Sequence, residues 1–192
     1  GDSLATNAWI SKYALRDHEG NFLESNPNDM HRRLAREFVK VERKYPNPMD
    51  EYEIYHLLKG FKYFVPGGSA MYGIGNPFSI SSLANCFVIG SAQDSYGGIF
   101  KTDQEQAQLM KRRGGVGHDI SGLRPAKTPV TNAAGTSTGA VSFMHRFSNT
   151  TREVGQEGRR GALMLTMNIN HPDVEQFITS KDDLSKITGA NI

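Results

Sequence analysis

One cysteine, Cys86, stands among the 192 residues, in the run Asn85-Cys86-Phe87-Val88-Ile89. A thiol with such apolar neighbours has two readings. It packs as a small apolar side chain, as free cysteines commonly do. Or it is a redox thiol, which needs a second thiol from outside this chain. A lone cysteine excludes an internal disulfide framework and a Cys-based zinc site. Gly114-Gly115-Val116-Gly117 follows Lys111-Arg112-Arg113. These glycines either stop a helix, with the basic residues at its negative end, or bring bare backbone close to a ligand. They make no Walker loop, because no Gly-Lys-Ser/Thr follows. They make no Rossmann turn, because a strand rather than a helix follows. Gly155-Gln156-Glu157-Gly158-Arg159-Arg160-Gly161 is by default a solvated loop. Its paired arginines also suit a grip on a phosphate or a base, and Arg124 can add a further guanidinium. The six histidines are scattered, with no His-Glu-x-x-His pattern, so no metal site is expected. His118-Asp119 is the one adjacent pair with acid–base potential, and no serine nucleophile elbow occurs.

Composition narrows the classes. Hydrophobic residues make up 38% and charged residues 22%, which reads as soluble and globular. The formal net charge is +2, so bulk charge implies no polyanion. Local basic clusters favour a small anionic ligand over a nucleic-acid track. No apolar run approaches the ~20 residues of a membrane span, and no signal peptide is visible. A single cysteine fits a reducing, cytoplasmic compartment. The start at Gly1 without methionine points to processing.

Those residues need elements to hold them. Met30, Leu34, Phe38, Val41 and Tyr45 recur at helical spacing and predict a helix over 29–45, capped by Asn28 or Asp29 and stopped by Pro46 and Pro48. A second helix is expected over 50–64, with Ile54, Leu57, Leu58 and Phe61 inward. Residues 17–21 read as a turn. Composition shifts at Pro66 to a glycine-rich loop region, giving a helical domain over 1–66 and a second domain over 67–192. Strands are then expected at 85–90, 116–122, 162–169 and from 187 onward. They alternate with helices at 99–112, capped by Asp94 or Ser95, at 139–154 with Ala140, Met144, Phe147 and Thr151 on one face, and at 171–180 with Pro172 in the first turn. Such alternation predicts an α/β fold with a parallel sheet or barrel. Four strands do not close a barrel, so the architecture reads as incomplete.

Taken in order, Asn85-Cys86-Phe87-Val88-Ile89, Asp94-Ser95 with Gly98-Ile99-Phe100, Arg113-Gly114-Gly115-Val116-Gly117 and Ser121-x-Leu123-Arg124-Pro125 carry a resemblance that none carries alone. Ser137-Thr138-Gly139-Ala140-Val141-Ser142-Phe143-Met144, Gly158-Arg159-Arg160-Gly161-Ala162-Leu163-Met164 and His171-Pro172-Asp173-Val174 extend it. The series resembles the catalytic subunit of ribonucleotide reductases, nearest to the adenosylcobalamin-dependent class and related class I large subunits. The resemblance implies a ten-stranded α/β barrel behind a helical domain, of which this chain holds the helical domain and about four strands. It implies that a thiyl radical abstracts hydrogen from C3′ of a ribonucleotide while a cysteine pair delivers two electrons. Cys86 matches the first cysteine of that pair. Ser69, Asn85 and Gly115 match substrate-contacting positions, and Ala70 stands where threonine often sits, one hydroxyl short. Asp94 and Ser95 match the deoxynucleotide specificity site, Arg124 a phosphate contact in its first loop, and Gln156, Arg159 and Arg160 its second loop.

The resemblance places the radical cysteine and the second reducing cysteine beyond Ile192, on a C-terminal half supplied as a second chain. It implies a ribonucleotide substrate, a dNTP or ATP effector and a thioredoxin-type reductant. The radical comes from adenosylcobalamin or from a separate metal-containing subunit. Dimerisation through the helices near 99–112 and 139–154 is the family's habit. Neither a membrane nor a nucleic-acid partner is expected, nor an ATP-cone domain. Two other readings stand beside this one: a non-catalytic nucleotide-binding or regulatory module, and an inactive fragment.

Overall fold

The computed structural model describes residues 2–154, 161–183, 185 and 187–192. The chain packs as two compact units, Gly1–Asn85 and Cys86–Ile192, so the glycine-rich stretch after Pro66 packs with the helices before it.

The first unit is helical: α1 (Ser3–Lys12), α2 (Pro27–Glu42), α3 (Glu51–Leu58) with a 3-10 turn at Lys59–Phe61, and α4 (Gly68–Gly73). Asn26, not Asn28 or Asp29, caps α2, accepting from the N–H of Asn28 and leaving Pro27 in the first turn, where no N–H is missed. Asp50 and Glu53 close a reciprocal capping box on α3. Met30, Leu34 and Ala35 are fully buried, joined by Trp9, Val39, Ile54 and Leu58. Val41, in the last turn of α2, is exposed, as is Tyr45 beyond the helix end at Glu42; Leu57 and Phe61 are likewise more exposed than expected. Buried Arg33 donates from Nε to Glu24 at 2.7 Å and from Nη2 to the Met71 carbonyl at 2.9 Å, and it also meets the Ile74 carbonyl. It thereby ties α2 to α4, which glycine content had made look like loop.

The second unit alternates β1 (Cys86–Val88), α5 (Tyr96–Met110), β2 (Gly115–Asp119), α6 (Ala140–Glu153), β3 (Leu163–Thr166) and α7 (Val174–Thr179). The strands form a parallel sheet in the order β1-β2-β3. Three strands are present among the described residues where four were expected. The fourth position holds a single parallel bridge, Met164 to Asn191. Alternate strand residues Val116, His118, Leu163 and Leu165 are buried, the three apolar ones in a core shared with Ile99, Met144 and Phe147 of α5 and α6. Pro172 precedes α7 instead of sitting in its first turn, since α7 starts at Val174. No helix among the described residues is long and apolar enough to cross a membrane.

Candidate functional site

Strand register decides which way Cys86 faces. Cys86 pairs with Gly115, Val88 with Gly117, Gly117 with Met164, and Asp119 with Thr166. Paired residues of a parallel sheet share a face, and neighbours along a strand alternate. Val116 and His118 face α5 and α6, so Cys86, Gly115, Gly117 and Met164 lie on the opposite face. There Cys86 is exposed, as are Val88 and Met164. The reading of Cys86 as a buried packing residue is corrected: α5 and α6 pack on the opposite face of the sheet, so Phe87 is half-buried while Cys86 is exposed.

The glycines beside it do two jobs. Arg113 carries φ of +70°, its N–H donating to the Met110 carbonyl while Gly114 N–H donates to that of Leu109. That is a Schellman stop, with arginine in the left-handed position where glycine is usual. Gly114 is needed for another reason: a Cβ there would lie 2.8 Å from the Phe87 ring. Gly115 and Gly117 then leave the strand face in front of Cys86 without side chains.

A cavity of about 230 Å³ lies in the same unit. Asp94, Ser95 and Arg124 line it together. Ser95 caps α5, accepting from Gly98 N–H at 3.0 Å. Asp94 instead faces Arg124: its Oδ2 accepts from Arg124 Nε at 2.8 Å and its Oδ1 from the Arg124 N–H at 3.1 Å. The anion-binding and hydroxyl-binding candidates are therefore one ion-paired unit. Tyr96 meets Phe143 edge to face at 6.2 Å, giving the cavity an aromatic wall. The remaining wall is a loop that sequence reasoning missed. Pro129 bridges Thr136 antiparallel, Ser137 N–H donates to the Thr128 carbonyl, and Gly135 turns the chain with φ of +73°. Thr131, Asn132, Ser137 and Thr138 of this loop line the cavity. The one signal in sequence was the run of small hydroxyl residues between a strand end and a helix. Gln156, Arg159 and Arg160 lie outside the described residues.

In the first unit, Ser69 opens α4 beside Ala70, and its N–H donates to Asn85 Oδ1 at 2.8 Å. Ser69 is fully buried, with its hydroxyl unpartnered among the described residues. Gly67 leaves room for the Asn85 amide, which a Cβ would meet at 2.5 Å. Asn85 thus fixes the start of the glycine-rich helix.

His118 and Asp119 form no dyad, because strand alternation sends them to opposite faces. The His118 ring lies against Phe147, with Nε2 3.2 Å from Gln106 Oε1. Burial pushes its pKa down to about 4, against a smaller opposing pull from Asp119 and Asp103. Asp119 instead accepts from the hydroxyls of Ser121 at 2.8 Å and Thr166 at 3.0 Å. Among the described residues no group of three or more His, Cys, Asp or Glu could hold a metal ion.

Comparison with known proteins gives this geometry a context. The family described as "Ribonucleotide reductase, barrel domain" matches residues 84–189. A vitamin B12-dependent ribonucleoside-diphosphate reductase of Mycobacterium tuberculosis is 33% identical over 174 residues, 88% of this chain and 24% of that protein. A protein of the same description from Thermoplasma acidophilum is 40% identical over 125 residues, 65% of this chain and 16% of that protein. The ribonucleoside-diphosphate reductase large subunit of Trypanosoma brucei brucei is 27% identical over 184 residues, 91% of this chain and 20% of that protein. The chain thus spans about a quarter or less of the length of these relatives.

Proposed function

The chain belongs to the ribonucleotide reductase family, and from that premise we propose that it is the part of a catalytic subunit that carries one reducing thiol, Cys86, and a deoxynucleotide effector site. The observation that carries the reading is the placement of Cys86. It is exposed on the sheet face turned away from the helices, in register with Gly115. Gly115 is itself buried but sets no side chain beside the thiol, which leaves Cys86 open to a sugar. Parallel sheets are covered on both faces, and the remaining strands of a ten-stranded barrel, supplied as further polypeptide, would cover this one.

The reaction balances with two thiols. After hydrogen is abstracted from C3′ by a thiyl radical on the completing polypeptide, the C2′–O bond breaks and the hydroxyl leaves as water. A C2′–H bond forms, and the hydrogen at C3′ is returned. Cys86 and the second cysteine give two electrons and two hydrogens and end as a disulfide, which a thioredoxin-type reductant reopens. Ser69, Ala70, Asn85 and Gly115 are the substrate contacts of this reading. Ala70 brings no hydroxyl, and the Ser69 hydroxyl beside it is buried. The names of the relatives favour ribonucleoside diphosphates as substrates.

Two of the named relatives also favour adenosylcobalamin as radical source. The cavity of about 230 Å³ beside Asp94 and Arg124 is too small for a corrin. What its lining does fit is a nucleotide: a carboxylate at a helix start for ribose hydroxyls, a guanidinium for phosphate, and an aromatic wall for a base. Gln156, Arg159 and Arg160 complete that site in this reading. The α5–α6 pair, where Arg146 lies 4.3 Å over the Phe100 ring and 2.8 Å from Asp103, is the surface we assign to dimerisation.

Cys86→Ser in the completed enzyme tests the reading. It is expected to abolish turnover with the physiological reductant and leave effector affinity unchanged; full activity would refute the redox assignment. A second reading, a non-catalytic nucleotide-binding module, is favoured by one observation: every residue lining the cavity belongs to this one unit. Effector binding by a particle with no polypeptide bearing the missing cysteines would select it.

A further inference from the structure

The cavity loop is tied down at both ends by one buried residue. Asp173 accepts from the Ala126 N–H with Oδ1 at 3.1 Å and Oδ2 at 3.0 Å, and from the Ala140 N–H with Oδ2 at 3.1 Å. Ala126 begins the loop and Ala140 begins α6, which has no side-chain cap of its own. A carboxylate from a distant turn therefore serves as that cap. It meets a buried first-turn N–H that has no acceptor within the helix, and the positive end of the helix dipole. Gly139, with φ of +90°, fits between them: a Cβ there would lie 2.7 Å from Asp173 Oδ2 and 2.8 Å from Ala126.

His171 adds a second tie. Its Nε2 lies 2.8 Å from the Leu123 carbonyl, and its Nδ1 accepts from the Asp173 N–H at 3.0 Å. Nδ1 is thus the acceptor and Nε2 the donor, which fixes the neutral tautomer. Leu123 immediately precedes Arg124. The turn after β3 consequently grips the cavity loop before Arg124, after Pro125 and at the start of α6.

We propose that Asp173 and His171 form a clasp that positions Arg124 and the loop to its α6 end for binding the nucleotide effector. The inference rests on the effector-site reading above. Neither residue lines the cavity; they are positioning residues that act through the loop. The amide of Asp173→Asn would turn an N–H₂ toward one of two backbone donors, so one charge-assisted hydrogen bond is lost outright. The loop then samples arrangements in which the cavity is not formed, and affinity falls by the fraction of time it spends there.

The test is titration of the protein, in the assembly its host makes, with each of the four deoxynucleoside triphosphates, alongside thermal unfolding. Asp173→Asn is expected to raise the dissociation constant of the bound effector about tenfold or more, the scale of one lost charge-assisted hydrogen bond. His171→Gln should give a smaller rise, and it carries the test if Asp173→Asn does not fold. A residue that merely stabilises the unit would lower the unfolding temperature and leave the affinity of the folded protein unchanged; that result overturns the clasp. Asp94→Ala separates the two claims. If it weakens binding while the clasp variants do not, the cavity reading stands and the clasp falls. If wild-type protein binds no deoxynucleotide, or Asp94→Ala changes nothing, the cavity reading falls and the clasp with it.

Discussion

Replacing Arg124 with methionine should separate binding from stability. The Arg124–Asp94 pair spans 2.8 Å, but its side chains remain 40% and 36% exposed. Pairs so open to water contribute at most about 1 kcal/mol to stability. The variant also keeps the bond from the Arg124 backbone N–H to Asp94 Oδ1, at 3.1 Å. Urea unfolding should therefore shift by less than about 1 kcal/mol. Effector binding should suffer far more, because a guanidinium on phosphate makes charge-assisted bonds of about 1.5–3 kcal/mol. At about 1.4 kcal/mol per factor of ten, that is a tenfold to hundredfold rise in dissociation constant. Calorimetric titration with a deoxynucleoside triphosphate and parallel urea melts measure both. Affinity within about twofold of wild type, together with a stability loss above about 2 kcal/mol, would refute the argument by making Arg124 a structural residue.

Two further expectations concern burial. His118 is neutral when folded, with its pKa near 4 against an ordinary 6.5. As pH falls through 6.5 the unfolded chain takes up the proton first, so stability declines down to about pH 4 and then levels. The full swing is about 3 kcal/mol, and His118→Gln should remove its share of that slope in melts between pH 7 and 4; an unchanged slope would discount this residue. His31, fully buried and also held below its ordinary value by burial, adds to the decline in the same direction in the helical unit. Arg33→Met should cost that unit about 3–5 kcal/mol, because the Glu24 carboxylate loses its buried partner. Adding Glu24→Gln should recover much of this in a chemical melt, and no recovery would argue against the charge as the cause.

Much of the second unit was legible because its signals are local. Ala140, Met144, Phe147 and Thr151 mark the buried face of α6 by spacing alone, and all four are buried. Apolar runs located β1, β2 and β3. What escaped was set by distant partners. Nothing near Cys86 in sequence says which face of the sheet it occupies; the register with β2 does. His118-Asp119 looked like a pair because adjacency in sequence is not adjacency on a strand. α4 was hidden by glycines: Gly67 just before it leaves room for the Asn85 amide, Gly68 for the Tyr13 ring and Gly73 for Ser81. Asp94 and Ser95 line one cavity, but its wall needed a loop whose ends are fixed by a turn more than thirty residues further along the chain.

The most direct test is to map disulfides after one turnover. The completed enzyme, fully reduced, is given substrate and effector without external reductant, quenched with an alkylating reagent and digested. The account predicts a Cys86 peptide disulfide-linked to a cysteine of the completing polypeptide, in an amount matching the deoxynucleotide formed. Product accompanied by alkylated, unlinked Cys86 would contradict it.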